Sequence, residues 1–362
     1  MAVGHLGTAV APERFDTALR EFFADRRGDA EAIGASVGHA VEELESYLLR
    51  GGKRVRPVFA WLGWIGAGGD PAGPAAPAVA RACAALELLH ASALIHDDII
   101  DASLTRRGFP AAHVTFAERH RAHGWSGDPA DYGTGIAILL GDLAQAWADD
   151  MIRTSGLPDP AQARVGPVWS AMRSEVLGGQ LLDLDAEASG DEDIGTALRV
   201  NRYKTASYTV ERPLHLGAAI AGAPEPLIAA YRAFGRDIGI AFQLRDDLLG
   251  VFGDPAVTGK PSGDDLREGK RTALIATALR NADTCDPEGA RFLRASIGTD
   301  IDEAGLARIR RILIGSGAVD VMEKDIARRT DQALTALRVS GVADPALEQL
   351  STMAVLATQR VS

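Results

Sequence analysis

The chain has 362 residues, a net charge of −11, 46% hydrophobic residues and only 6% aromatic ones. Abundant alanine and leucine with few β-branched runs favour an all-α protein with an ample core. The acidic balance excludes nucleic acid as a partner, because gripping a phosphate backbone needs a basic stripe.

Apolar residues recur at helical spacing through most of the chain, and strand-like alternation is nearly absent. In order, helices are predicted at about 12–26, through Val41, Leu44 and Leu48 up to the Gly51-Gly52 stop, and at about 76–101. Further helices are predicted at about 134–152, 161–187, 194–221, 225–251, 271–282, 288–296, 303–315, 317–339 and 344–359. GAGGDPAGP, ending at Pro74, and GAPEP (222–226) are connectors, and irregular loops are expected at RHRAHGWSGDPADYG (119–133) and FGDPAVTGKPSGDDLREGK (252–270). With no internal repeat or low-complexity linker, residues 1–362 are read as one domain. Cys83 and Cys285 are too few for a disulfide framework or zinc site and are expected in the core. No secretory signal is apparent, and the greasiest stretch, VARACAALELLHASALI, is interrupted by Arg81, Glu87 and His90. A cytoplasmic protein without a membrane span is expected.

Two acidic segments carry the chemistry. Asp97-Asp98-Ile99-Ile100-Asp101 and, about 150 positions later, Asp246-Asp247 in FQLRDDLLGVFGD lie in apolar surroundings. Carboxylates at i,i+4, such as Asp97 and Asp101, cost a helix a few tenths of a kcal/mol, so their pairing calls for a cation. Magnesium commonly bridges one or two carboxylates to substrate phosphates, and two facing clusters would form such a cage. An N-cap with a solvated acidic face would account for one cluster, hardly for two. Positive residues gather nearby in sequence: Lys53, Arg54 and Arg56 in GGKRVRP, then Arg106-Arg107, Lys204, Lys260 and Lys270. Beside glycine-rich turns, such cations converge with backbone N–H groups on phosphate oxygens.

Together GGKRVRP, HxxxxxHDDIIDxxxxRRG, GQxxD, KT, FQxRDD and GDPxxTGKPxGDDxxxGK resemble the trans-isoprenyl diphosphate synthases, the family of farnesyl and geranylgeranyl diphosphate synthases. The resemblance runs from about residue 40 to 280. It implies an isoprenoid synthase-type helical bundle around a deep central cavity, usually a homodimer. It also implies a magnesium-dependent condensation of isopentenyl diphosphate with an allylic diphosphate (dimethylallyl, geranyl or farnesyl). By the same resemblance Asp97 and Asp101, supported by Asp98, hold two of three magnesium ions present with substrate, and Asp246 holds the third. Asp247, Asp264 and Asp183 would be outer-sphere partners. Arg106, Lys204 and Lys260 would grip the allylic diphosphate; Lys53, Arg56, His90 and Arg107 the isopentenyl diphosphate; Lys270 lies beside the second cluster. Thr205, Gln243 and the Lys204 backbone would face the developing cation. The second cluster usually reads DDxxD, whereas here the third acid is Gly250, which weakens a helix by about 1 kcal/mol relative to alanine and can mark its end.

One helical turn, about 5.4 Å, is close to one extended isoprene unit, so depth along the first acidic helix acts as a ruler. Ser92 and Ala93 sit one turn below the metal site and are small, and the next floor is expected near Leu89 or at Ile138 and Leu139. Family members making fifteen-carbon products block that level with an aromatic ring. The expected product is therefore geranylgeranyl diphosphate, with longer products as the alternative. Close helix packing is the competing account of the small residues. Two rival functions remain: a class I terpene cyclase, which needs no second diphosphate pocket, and a catalytically silent subunit, which should have lost acids from the first cluster.

Overall fold

The structure, a computed structural model, describes residues 12–254 and 262–359. Helices α1 (Glu13–Ile33) and α2 (Ala35–Leu49) are separated by Gly34, and α3 (Val55–Gly66) leads to α4 (Ala76–Ile100). A two-residue antiparallel ribbon, β1 (Thr105–Arg106) and β2 (Phe109–Pro110), precedes α5 (Ala112–His123), α6 (Pro129–Arg153) and α7 (Asp159–Ser189). Helix α8 (Ile194–Val200) continues through a π-helical stretch, Asn201–Glu211, into α9 (Arg212–Ala221). The chain then forms α10 (Glu225–Phe252), the one-turn α11 (Asp264–Arg267), α12 (Ala273–Cys285), α13 (Pro287–Ser296), α14 (Glu303–Gly315), α15 (Ala318–Arg338) and α16 (Asp344–Thr358).

Helix α4 is the axis, packed on α1, α3 and α6. Its middle, from Ala82 to Leu89, is buried all round, as expected of a central helix that presents no amphipathic face. It is long and apolar enough to cross a membrane, yet 78% of that window is buried inside the protein. One hydrophobic cluster surrounds it, with Phe15, Phe23, Trp61, Leu86 and Phe234 among the largest side chains. A second cluster fills the C-terminal part, where Leu244 and Leu248 of α10 meet α12, α14 and α15. Helix α10 contributes to both, and its C-terminal half carries the second acidic pair.

Most predicted helices are present within a few residues, and four expectations change. Helix α3, buried at every residue from Pro57 to Gly66, was not foreseen: Pro57, Gly63 and Gly66 are weak helix formers within one short segment. Residues 119–133 do not form an irregular loop but end α5 and begin α6. His120, Arg121 and His123 oppose the carbonyl end of α5, and Gly124 closes it with φ 61°. Asp128 then caps α6 through the N–H groups of Ala130 and Asp131, with Pro129 as first helical residue. Cys83 is buried as expected, whereas Cys285, the last residue of α12, is exposed. Gly250 does not end its helix either, because α10 runs on to Phe252.

Candidate active site

The C-terminal turn of α4 sorts its three acids by angle. Asp97 and Asp101, four apart, share one face; Asp98, about 100° around the axis, turns into the protein and is completely buried. Arg106 clamps Asp98 Oδ1 with two guanidinium nitrogens, Nε at 2.7 Å, and stands 3.6 Å from Asp97 Oδ2. Asp98 is thus placed as a support to its neighbours, with one carboxylate oxygen positioning Arg106. Lys204 Nζ is 3.4 Å from Asp97 Oδ1 and 2.6 Å from Asp183 Oδ2 of α7. Lys270 Nζ is 3.7 Å from Asp101 Oδ2 and 3.5 Å from Asp265 Oδ1. Lys270 thus ties the first cluster to the loop that follows the second.

The π-helical stretch carries Lys204 and Thr205. Such segments are rare and concentrate at functional sites. Here two glycines let the flanking helices close upon it: a Cβ at Gly179 of α7 would lie 2.3 Å from the Lys204 nitrogen, and one at Gly239 of α10 would lie 2.4 Å from the Ala206 Cα. Thr205 Oγ1 donates to Gln243 Oε1 at 2.9 Å, and Gln243 Nε2 donates to Asp247 Oδ1 at 2.9 Å. Asp247 is buried while its neighbour Asp246 is exposed. Burial pushes Asp247 up to about 8, against the pull of the Gln243 hydrogen bond, and Asp265 and Asp246 add repulsion.

That shift makes a testable statement about the metal-free protein. With a folded pKa above the unfolded value, the native state binds the extra proton, so its stabilisation is complete at low pH and is lost as pH rises toward 8. Raising pH from 6 to 9 with chelator present should cost wild type about 2 kcal/mol more than Asp247→Asn, read from urea midpoints. Parallel pH profiles for the two proteins would contradict it.

A cationic recess lies on the other side. Lys53, Arg56, His90 and Thr205 line a cavity of about 300 Å³ whose remaining walls include Phe59, Ile238, Phe242, Met353 and Leu356. Arg56 lies 4.0 Å over the Tyr208 ring and donates to Thr209 Oγ1 at 3.0 Å. His90 Nδ1 donates to the Tyr208 hydroxyl at 2.7 Å, leaving Nε2 to accept from Arg107 at 3.3 Å. Burial and the surrounding arginines hold this imidazole well below the usual histidine range, so it is neutral. Arg107 also donates to the Gly51 carbonyl at 3.0 Å, which brings the GGKRVRP turn against the residues after α4.

Lys260 lies outside the described residues. Of Asp264 and Asp265, the second is the one whose carboxylate reaches Lys270. Leu89 and Ser92 are buried, Ala93 is half-buried, and Ser92 Oγ donates to Gln145 Oε1 at 3.4 Å. Ile138 and Leu139 are corrected: both are exposed on the outer face of α6, at 44% and 65%, and form no floor within this chain. Sequence reading passed over Tyr208, whose place beneath Arg56 follows from the π-helical winding. It also missed Glu187, one turn beyond Asp183. Burial, Asp183 and Asp101 push Glu187 up to about 7, so a further carboxyl group borders the acidic pocket.

An acidic pocket at Asp97 and Lys204 and a recess lined by Lys53, Arg56 and Thr205, meeting at the π-helical stretch within an all-helical bundle, suit a prenyl diphosphate synthase class of protein. The comparisons agree. The Polyprenyl synthetase family matches residues 39–312. A geranylfarnesyl diphosphate synthase of Aeropyrum pernix is 35% identical over 86% of this chain and 91% of its own length. A geranylgeranyl diphosphate synthase of Mycobacterium tuberculosis is 34% identical over 75% of this chain and 71% of its own. The crystal structure of a geranylgeranyl pyrophosphate synthase from Corynebacterium glutamicum, complexed with isoprenyl diphosphate and magnesium, superposes with a TM-score of 0.92 at 46% identity, covering 97% of this chain and 98% of that one. The chain belongs to the polyprenyl synthetase family and is a transferase of the trans-prenyl diphosphate synthase type.

Proposed function

We propose that this chain joins isopentenyl diphosphate head-to-tail to an allylic diphosphate and stops at the twenty-carbon product, geranylgeranyl diphosphate. The observation that carries the reading is the pairing of two unlike sites at Thr205. On one side lie Asp97, Asp101, Lys204, Arg106 and Lys270; on the other lie Lys53, Arg56, His90 and Arg107.

The acidic side fits magnesium. Asp98 Oδ2 and Asp247 Oδ2 are buried without a hydrogen-bond partner, a costly arrangement that a cation or water would relieve. Among the described residues no three side chains are gathered to cage an ion unaided, and magnesium commonly takes one or two carboxylates with water and substrate phosphates. In this reading Asp97, Asp101 and Asp246 hold the ions, three with substrate bound. Magnesium, when bound, supplies charge neutralisation at the departing diphosphate.

The protein's own groups do the rest. Arg106, Lys204 and Lys260 hold the allylic diphosphate, and the C–O electrons leave with it. The Thr205 hydroxyl and Gln243 amide, fixed by Asp247, present dipoles to the allylic cation without trapping it. The double bond of isopentenyl diphosphate, held by Lys53, Arg56, His90 and Arg107, attacks C1 of the cation. The resulting tertiary cation loses a proton to the released diphosphate, forming the new double bond. For His90 to donate to an incoming phosphate, its ring must give up its present tautomer or gain a proton, and Tyr208 is placed to accept or return the Nδ1 hydrogen.

Incubating the protein with magnesium, isopentenyl diphosphate and farnesyl diphosphate should give geranylgeranyl diphosphate by chromatography. Hydrocarbon release would favour a cyclase, and no product would favour a silent subunit. Ala93→Phe should shorten the product by one or two isoprene units, because the ring would fill the level one turn below Asp97. An unchanged product distribution would remove the ruler. A homodimer is part of the reading, supported by exposed Ile138 and Leu139 on α6 and Leu177 and Leu181 on α7; light scattering tests it.

A further inference from the structure

Three residues of α7 spaced four apart, Glu175, Gly179 and Asp183, share one face of that helix, and all three meet the π-helical stretch. Asp183 accepts from the Lys204 ammonium at 2.6 Å, and Gly179 leaves room for the Lys204 backbone. Glu175 fastens the far end of the stretch: Ser207 Oγ donates to its Oε2, and Arg212 donates to both of its oxygens, Nε at 2.9 Å. Burial opposes its charge, yet the hydrogen bonds from Arg212 and Ser207 hold the Glu175 carboxyl below the ordinary glutamate range, so the clamp is ionised at neutral pH. Helix α10 grips the stretch in the same rhythm. A Cβ at Gly235 would stand 2.4 Å from the Glu211 Cα, Gly239 comes equally close to Ala206, and Gln243 accepts from Thr205.

The stretch held in this way serves both sites. Lys204 and Thr205 belong to the allylic side, while Tyr208 lies 4.0 Å beneath Arg56 and Thr209 accepts from Arg56 at 3.0 Å on the isopentenyl side. A π-winding is rare and appears mostly as single turns, whereas here it covers eleven residues, a length that calls for enforcement by its neighbours. We propose that Glu175 is a positioning residue for the condensation: through Ser207 and Arg212 it fixes the winding that keeps Lys204 and Thr205 in register with Tyr208 and Thr209, and so aligns the two substrates. This inference rests on the synthase reading above. Without the clamp the allylic cation forms off line from the isopentenyl double bond, and water competes for it. The C–O electrons still leave with the diphosphate, the water oxygen bonds C1, and its proton passes to the diphosphate, giving a prenyl alcohol in place of the elongated diphosphate.

The test supplies farnesyl diphosphate, isopentenyl diphosphate and magnesium in water enriched in heavy oxygen, and reads both products. Heavy oxygen on carbon marks capture of the cation by water, since cleavage at phosphorus by a contaminating phosphatase leaves the original oxygen on the alcohol. Glu175→Gln should elongate about tenfold more slowly, the scale expected when reacting atoms are held slightly off line, and should raise the ratio of labelled farnesol to elongated product about tenfold. A merely structural defect would slow elongation and leave that ratio alone. Ser207→Ala should move the ratio the same way by about threefold, the worth of a modest hydrogen bond, and should add little in the Glu175→Gln background, because both act through one link. A wild-type ratio in Glu175→Gln would overturn the proposal whatever its rate, as would fully additive effects of the two substitutions. If Glu175→Gln fails to fold, the ratio in Ser207→Ala decides by the same criterion. Wild-type protein that elongates nothing would instead sink the synthase reading.

Discussion

Asp97→Asn should lower the rate of isopentenyl transfer at least about a hundredfold, the scale seen when one preorganised electrostatic contact is lost, and should raise the magnesium concentration needed for half-maximal rate. Asp97 is the carboxylate that Lys204 and Arg106 both approach, at 3.4 and 3.6 Å. Removing its charge leaves Lys204 paired to Asp183 alone and strips one wall of the proposed metal cage. The substitution keeps the shape, so the fold should survive with little change in unfolding temperature. Labelled isopentenyl diphosphate across a magnesium series gives the measurement, with Asp283→Asn as control. Asp283 pairs with Arg294 on the surface, and its replacement should leave turnover within about twofold. Full activity in Asp97→Asn would refute the assignment.

The largest stability effect should come from a residue that resembles part of the phosphate site. Arg54 belongs to GGKRVRP, yet it is only 3% exposed. It donates to Asp16 Oδ1 of α1 at 2.7 Å, to Glu87 Oε2 of α4 at 2.8 Å and to the Leu48 carbonyl of α2 at 2.8 Å. Its backbone is left-handed, with φ 49°, a strain that persists only where surroundings over-determine it. Arg54→Met should cost about 3–5 kcal/mol, chiefly because Glu87 becomes an uncompensated buried charge. Adding Glu87→Leu should restore much of that. Denaturant midpoints for the two single variants and the double give the coupling; equal and additive losses would show that the three helices are not joined through this guanidinium.

Helices with one apolar face, clear caps or a long apolar run were readable from sequence; α3 was not, because Pro57, Gly63 and Gly66 fall within its twelve residues and weaken a helical reading. The ends of α5 and α6 were legible in principle: Gly124, Asp128 and Pro129 are ordinary stop and start residues, but charge and proline around them suggested a loop. In the site, the i,i+4 spacing of Asp97 and Asp101 did predict a shared face. The inward turn of Asp98 toward Arg106 depends on a ribbon after the helix, and no local pattern encodes that contact. Likewise nothing in the GDD string distinguishes Asp264 from Asp265; only the fold-back of Gly263 onto Gly250 does. Tyr208 follows Lys204 by four positions, and its place under Arg56 reflects a winding that simple helical counting misses.

The π-helical stretch makes the chain unusually sensitive to length. Each residue advances an α-helix by about 100°, so loss of a single codon anywhere between Asn201 and Glu211 would swing the flanking segments against each other. Lys204 and Arg212 would then no longer face Asp183 and Glu175, their present partners across α7, in the same orientation. Substitutions can be absorbed there, whereas insertions and deletions should be purged, and drift in this gene is expected to leave the spacing from Lys204 to Arg212 intact.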